Sequence, residues 1–287
     1  MNKIKIKCPA KINLTLEIVN KRDDGFHNIK SIMQLINLYD YLTIKPAQSG
    51  IKLSGTSDDI PYNEKNLVYK AADLFFKTTG LNQGVEIFIE KNIPIAAGLA
   101  GGSTDAAGTL YGLNKIFKAL SHKELEDLCA QLGSDLNVCL NGGCTLATSR
   151  GEITEPLPVL QSPVTLIKPK TLGISAGEAY KKYADKELKP QNNMTEKMLE
   201  AIQAGKDIKP FLYNDLEYAV FENYKELQEI KSAYPQSIMS GSGSTYFVLE
   251  NLPASKLGDD YEFINHLNFI PNGVSEYDSK ELCRTAN

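Results

Sequence analysis

With 287 residues, 42% hydrophobic and 23% charged, the chain has ample apolar material for a packed core and length for about two domains. Its 31 Lys and Arg against 35 Asp and Glu leave a net charge of −4, which argues against a broad nucleic-acid surface while allowing a local basic pocket. No apolar run reaches the roughly 18 residues of a membrane span, the start has no secretion-signal core, and five cysteines without a C-x-x-C pair argue against a disulfide framework or zinc site and fit a reducing cytosol.

The first strand is predicted from residue 4. Ile4, Ile6 and Cys8 alternate with lysines, and after Pro9 the apolar Ile12, Leu14, Leu16 and Ile18 alternate with Lys11, Asn13, Thr15 and Glu17. A period of two puts Lys11 and Asn13 on the face opposite the apolar set. K-R-D-D-G-F-H at 21–27 reads as a turn centred on Asp-Gly. Short strands are expected at 41–44 and 51–53, then a helix over 66–77 with Leu67, Ala71, Leu74 and Phe75 on one stripe and Gly80 as its stop. A strand at 85–89 leads into I-P-I-A-A-G-L-A-G-G-S-T-D-A-A at 93–107, and Leu110, Leu113 and Phe117 continue it as a helix. Ser121 and Glu124 form a capping box for the next helix, which Gly133 ends. The proline-rich run at 156–163 marks a domain boundary, giving segments 1–160 and 161–287. Beyond it come a strand at 164–167, a capped helix at 175–183, two more helices, and strands around the Gly-Ser turn of M-S-G-S-G-S-T. The residues from Asp278 onward read as a frayed tail.

The glycine-rich stretch lacks the lysine of a P-loop and the spacing of a dinucleotide fold. Gly98, Gly101 and Gly102 permit close backbone approach, and a helix N-terminus there suits an anion. A plain strand-to-helix turn capped by Ser103 or Thr104 explains the same residues, so both readings stand. Taken singly, Asp135 in L-G-S-D-L-N-V reads as a turn or cap residue, Lys11 as a solvated lysine, His27 as a turn histidine, and Ser175 with Glu178 as a capping box.

Together these stretches carry a resemblance. P-A-K-I-N-L at 9–14, D-G-F-H at 24–27, M-Q-L-I-N-L-Y-D at 33–40, N-I-P-I-A-A-G-L-A-G-G-S-T-D-A-A at 92–107 and L-G-S-D-L-N-V at 132–138 occur in order. I-S-A-G-E-A-Y at 174–180, N-D-L-E at 214–217 and M-S-G-S-G-S-T at 239–245 follow. In these the chain resembles the galactokinase, homoserine kinase, mevalonate kinase and phosphomevalonate kinase superfamily. P-A-K-I-N-L with D-G-F-H narrows the likeness to the branch acting on cytidine diphosphate-linked methylerythritol.

The resemblance implies an α+β, two-lobed small-molecule kinase fold. Its N-terminal lobe would be ribosomal-protein-S5-like, its C-terminal lobe ferredoxin-like. It implies an ATP-dependent kinase phosphorylating the C2 hydroxyl of that substrate in the non-mevalonate isoprenoid pathway, with ATP and Mg²⁺ as cofactors. Lys11 and Asp135 match the catalytic pair. Asn66, Lys91 and the loop Pro94, Ile95, Ala96, Ala97, Gly98, Leu99, Ala100, Gly101, Gly102, Ser103 and Thr104 match the nucleotide site. Asn13, Phe26, His27, Ser175 and Tyr180 match substrate contacts, with His27 reading the cytosine edge. Phe26 stands where the family usually has tyrosine, and Ala96, Ala97 and Ala100 where some members have glycine. The metal ligands stay open. The expected setting is a cytoplasmic monomer or weak homodimer without nucleic-acid or membrane partners. The alternatives are a superfamily kinase for homoserine, mevalonate or a sugar, which the cytosine-reading residues count against, and a non-catalytic nucleotide sensor, which the presence of Lys11 and Asp135 counts against.

Overall fold

The computed structural model describes residues 3–186 and 193–277. β1 (Ile4–Lys21) and β2 (His27–Ala47) form one long antiparallel hairpin, paired from Ile4 with Ile44 to Lys21 with His27 around the expected Asp-Gly turn. The register shifts between Pro9 and Ala10, where the imide has no N–H to give the ladder. The strand expected at 41–44 is thus the far end of a 21-residue strand. Residues 31–36 of β2 are buried on both faces, so the alternation that betrays a half-exposed strand is missing there. The same double burial corrects the reading of Lys11 as a solvated lysine. Lys11, Asn13, Thr15 and Glu17 do oppose the apolar set, but their exposures of 3%, 1%, 0% and 8% place them inside.

β3 (Ile51–Gly55) precedes α1 (Leu67–Thr79), and β4 (Gly84–Glu90) follows it. Asn66 caps α1 by accepting from the Val68 N–H at 2.9 Å, and Gly80 closes it in the left-handed conformation. Next come α2 (Gly101–Phe117), α3 (His122–Leu132), α4 (Leu136–Asn141), β5 (Cys144–Ser149) and β6 (Ile153–Pro156). The Ser121–Glu124 capping box forms, with Gly133 ending α3. The remaining elements are β7 (Pro163–Pro169), α5 (Ala176–Ala184), α6 (Met194–Gln203), β8 (Tyr213–Asn214), α7 (Asp215–Val220), α8 (Lys225–Ala233), β9 (Ile238–Met239), β10 (Tyr246–Val248), β11 (Tyr261–Asn268) and β12 (Ser275–Glu276). Two helices were expected between α5 and the Gly-Ser turn, and three α-helices stand there among the described residues. α7 is too short to impose a helical period on the sequence.

One sheet runs β12-β1-β2-β4-β3, with β5 on the first half of β2, β6 on β5, and β8 parallel to β1. A second runs β11-β7-β10-β9. α2 lies close on the β1–β2 hairpin because its facing residues are small. A Cβ at Gly108 would meet Cys8 Sγ at 2.3 Å, and one at Gly112 would meet Ile44 Cδ1 at 2.4 Å. That approach sets the glycine-rich loop directly over β1. Among the described residues no helix is long and apolar enough to cross a membrane. The tail expected from Asp278, with Cys283, lies outside the described residues.

Candidate active site

Lys11 is a buried ammonium, and burial demands partners. Its Nζ donates to Asn13 Oδ1 at 2.7 Å and lies 3.3 Å from Asp135 Oδ2. Asn13 Nδ2 donates to Ser31 Oγ at 2.9 Å, which donates on to the Thr15 carbonyl at 2.5 Å. Strand β1 therefore presents a rigid lysine whose orientation is fixed by its second neighbour on the same face. Asp135 occupies the N-cap position of α4 but makes no side-chain cap hydrogen bond, so its carboxylate faces Lys11. The cap reading holds for its place in the chain and fails for its side chain. With 27% side-chain exposure it keeps access to a reacting hydroxyl.

The glycine-rich loop passes over this pair. The Lys11 N–H donates to the Leu99 carbonyl at 3.1 Å. Gly98 has φ 72°, and a Cβ there would stand 2.0 Å from the Ser240 carbonyl oxygen, so only glycine fits between the loop and the M-S-G-S-G-S-T turn. Ser240 Oγ donates to the Gly98 carbonyl at 3.0 Å, and the Ile174 and Thr245 N–H groups reach the Ala96 and Ala97 carbonyls at 3.3 and 3.4 Å. α2 starts at Gly101, capped by Ala100 in the left-handed conformation rather than by Ser103 or Thr104. Ser103 and Thr104 lie in the helix's first turn. Ala96 and Ala100, at φ 49° and 59°, hold a geometry that glycine adopts without steric strain.

Two cavities meet at Gly98 and Ala100. The smaller, about 270 Å³, is lined by Asn66, Lys91, Asp105 and every residue from Pro94 to Gly102. The larger, about 720 Å³, holds Lys11, Asn13, Phe26, His27, Ser103, Asp135 and Tyr180. The His27 and Tyr180 rings stack at 5.2 Å with 17° between their planes. Burial and the nearby Lys21 charge pull the His27 pKa below its ordinary value, so its imidazole is neutral at pH 7. Burial pushes the Tyr180 phenol well up, keeping it protonated.

Two expected residues line neither cavity, and a third lines its cavity while paired within the protein. Thr104 is fully buried and its hydroxyl faces neither cavity, so only Ser103 of the pair offers a hydroxyl to a ligand. Ser175 is the exposed N-cap of α5, accepting from the Glu178 N–H at 3.2 Å, while Ala176 and Gly177 beside it line the larger cavity. Lys91 does line the smaller cavity, but it is locked between two carboxylates. It bonds Asp40 Oδ2 and lies 2.9 Å from Asp105 Oδ2.

Asp40, Asp105 and Ser31 were not singled out from the sequence. Asp40 Oδ1 also takes the Asn92 and Ile93 N–H groups at 2.6 and 2.8 Å, anchoring the approach to the loop. Burial raises the Asp105 carboxyl to about 7 against the lowering pull of Lys91.

Residues 66–145 match the model of the GHMP kinases N terminal domain. The chain is 42% identical over 260 residues to the 4-diphosphocytidyl-2-C-methyl-D-erythritol kinase of Carboxydothermus hydrogenoformans, covering 88% of this chain and 90% of that one. It is 41% identical over 272 residues to the protein of the same name from Prochlorococcus marinus, covering 86% of each. A crystal structure of 4-(cytidine 5'-diphospho)-2C-methyl-D-erythritol kinase superposes with TM-score 0.72 at 33% identity, over 86% of this chain and 90% of that one. A homoserine kinase from Cytophaga hutchinsonii superposes with TM-score 0.77 at 18% identity, over 96% and 98%, and shares the fold.

Proposed function

Because the chain belongs to the 4-diphosphocytidyl-2-C-methyl-D-erythritol kinase family of the GHMP kinases, we infer that it transfers the γ-phosphoryl group of ATP to the C2 hydroxyl of 4-diphosphocytidyl-2-C-methyl-D-erythritol, in the non-mevalonate route to isoprenoid precursors. The observation that carries the site assignment is the meeting of two cavities at Gly98 and Ala100, with Lys11 and Asp135 3.3 Å apart beside that junction. ATP occupies the smaller cavity and extends its phosphates along the loop. The cytidine substrate occupies the larger, its base toward Phe26, His27 and Tyr180.

In-line phosphoryl transfer is chiefly a matter of positioning and charge neutralisation. As the C2 oxygen attacks phosphorus, its proton passes to Asp135, the new C2–O–P bond forms, and the bridging oxygen departs with ADP. Lys11, 3.3 Å from Asp135, orients its carboxylate and neutralises charge growing on the transferred group. First-turn N–H groups of α2 and the positive end of its dipole face the phosphates. A tertiary alcohol is a weak acid, so Asp135 contributes by aligning the hydroxyl as much as by basicity.

Magnesium, when bound, would supply charge neutralisation to the phosphates. Ser103 and Asp135, which face the larger cavity, offer the hydroxyl and carboxylate oxygens that would help hold it, whereas Thr104 is sealed away. We further read residues 1–160 as the ATP-binding lobe, 161–287 as completing the substrate site, and the enzyme as cytoplasmic.

Phosphorus NMR of a reaction with ATP and the cytidine substrate tests the transfer. A new phosphomonoester on the tertiary C2 carbon, appearing in step with ADP, is expected. ADP without that resonance would mean that the C2 hydroxyl is not the acceptor.

A further inference from the structure

The turn joining β5 to β6 takes no part in the transfer step, yet it braces both ends of the larger cavity. Phe26 is 53% exposed, so burial does not fix its ring. The Arg150 guanidinium does: its central carbon lies 5.2 Å from the ring centroid, and both residues line the cavity. Arg150 is held in turn by Glu152. The Arg150 N–H donates to Glu152 Oε2 at 2.8 Å, its Nε approaches Glu152 Oε1 at 3.4 Å, and Nη2 reaches the Ala130 carbonyl at 3.5 Å.

Glu152 Oε1 also accepts from Ser149 Oγ at 3.0 Å, and Ser149 Oγ accepts from Arg22 Nη1 at 3.2 Å. Arg22 Nε spans both Asp24 oxygens, and Asp24 Oδ1 takes the Phe26 N–H at 3.1 Å. On the other side, Asn137 Nδ2 donates to the Glu152 carbonyl at 3.0 Å, and a Cβ on Gly151 would meet Ser134 Cβ at 3.2 Å. A continuous set of contacts therefore joins the Phe26 hairpin, the turn, and Asn137 in α4's first turn, two residues from Asp135, with Gly151 packed close to Ser134 just before it. Partial burial raises the Glu152 carboxyl, but its hydrogen bonds and the Arg150 charge outweigh this and leave it below the usual range, ionised at neutral pH.

We propose that Arg150 is a specificity-determining positioning residue for the nucleobase: it backs the exposed Phe26 ring so that the ring stands ready to stack on the pyrimidine, while Glu152 locks it to the helix that carries Asp135. The proposal rests on the cytidine reading above. A ring already held in place spends no ordering entropy when the base arrives, and a planar guanidinium can lie over a ring while bonded to a carboxylate at its edge. Lysine brings a point charge without that planar, two-edged fit.

The test compares wild type, Arg150→Met, Arg150→Lys, Phe26→Ala and the Phe26→Ala/Arg150→Met double variant in steady-state ADP release, with a thermal melt of each. Arg150→Met is expected to raise KM for the cytidine substrate about tenfold, with kcat and the KM for ATP within about twofold of wild type. Arg150→Lys restores only part of the loss. In the Phe26→Ala background Arg150→Met adds nothing. An unchanged KM in Arg150→Met, a full rescue by lysine, an equal loss in kcat or the KM for ATP, or an undiminished effect without Phe26 overturns the proposal. Absence of cytidine-substrate turnover by the wild type would instead sink the functional reading and take this one with it.

Discussion

Replacing Lys11 by methionine deletes a charge while keeping an unbranched side chain at a position only 3% exposed. Two acceptors lose their cation: Asn13 Oδ1 at 2.7 Å and Asp135 Oδ2 at 3.3 Å. The Asn13 amide is 1% exposed, so its stranded oxygen costs about 1–3 kcal/mol of stability. Asp135 keeps water on its exposed edge, and removing a buried ammonium recovers part of its desolvation penalty. The variant should therefore fold, with a melting temperature lowered by several degrees. Catalysis suffers more, because the ammonium acts on charge that develops during transfer. Loss of one such preorganised donor is worth about 2.7–4 kcal/mol, or about 10²–10³ in kcat. Coupled ADP release at saturating ATP and cytidine substrate measures kcat, and thermal denaturation checks the fold. Lys11→Arg should not recover activity, since the longer fork does not fit between Asn13 and Asp135. A folded Lys11→Met enzyme with kcat within about fivefold of wild type would refute the transition-state role.

Gly98→Ala should abolish tight ATP binding or lower stability by more than about 2 kcal/mol, because its Cβ would sit 2.0 Å from the Ser240 carbonyl oxygen. Denaturant unfolding and ATP titration read both, and wild-type values in each would show that the loop can yield. His27 predicts an acid limb in the pH profile of KM for the cytidine substrate. Burial and Lys21 depress its pKa, so the neutral ring, able to accept from an exocyclic amino group, persists below pH 6.5. As pH falls through the folded value the acceptor is lost and KM rises. The unfolded chain binds that proton more readily, so His27's contribution to stability also falls toward acid. His27→Gln should remove the acid limb, and an unchanged profile in that variant would assign it to another group.

Much of the fold was legible where polar and apolar residues alternate or a cap punctuates an element. β1, β3 and β4, α1 with Asn66 and Gly80 at its ends, and α3 with its capping box all announce themselves by period and punctuation. β2 did not, because residues buried on both faces show no alternation. Lys11 looked like a solvated lysine for a related reason: alternation says which face a side chain occupies, never whether that face is covered. The site followed the same division. Lys11, His27, Asp135 and the loop came from motif resemblance, since no spacing rule joins residues some 120 positions apart. Asp40 and Asp105 escaped notice because a carboxylate reads as surface until its buried lysine partner is located. Arg150 escaped because its role depends on a ring contact across a turn. Thr104, next to Ser103 in sequence, faces inward because neighbouring helix positions project about 100° apart.

The central claim is that this site selects a cytidine-linked alcohol and phosphorylates it from ATP. Its most direct test is kcat/KM for ADP release with 4-diphosphocytidyl-2-C-methyl-D-erythritol, measured beside mevalonate and homoserine with the same enzyme preparation. Strong preference for the cytidine compound, lost on Asp135→Asn with the fold intact, is the predicted result. Equal or greater kcat/KM with either of the other alcohols would contradict it.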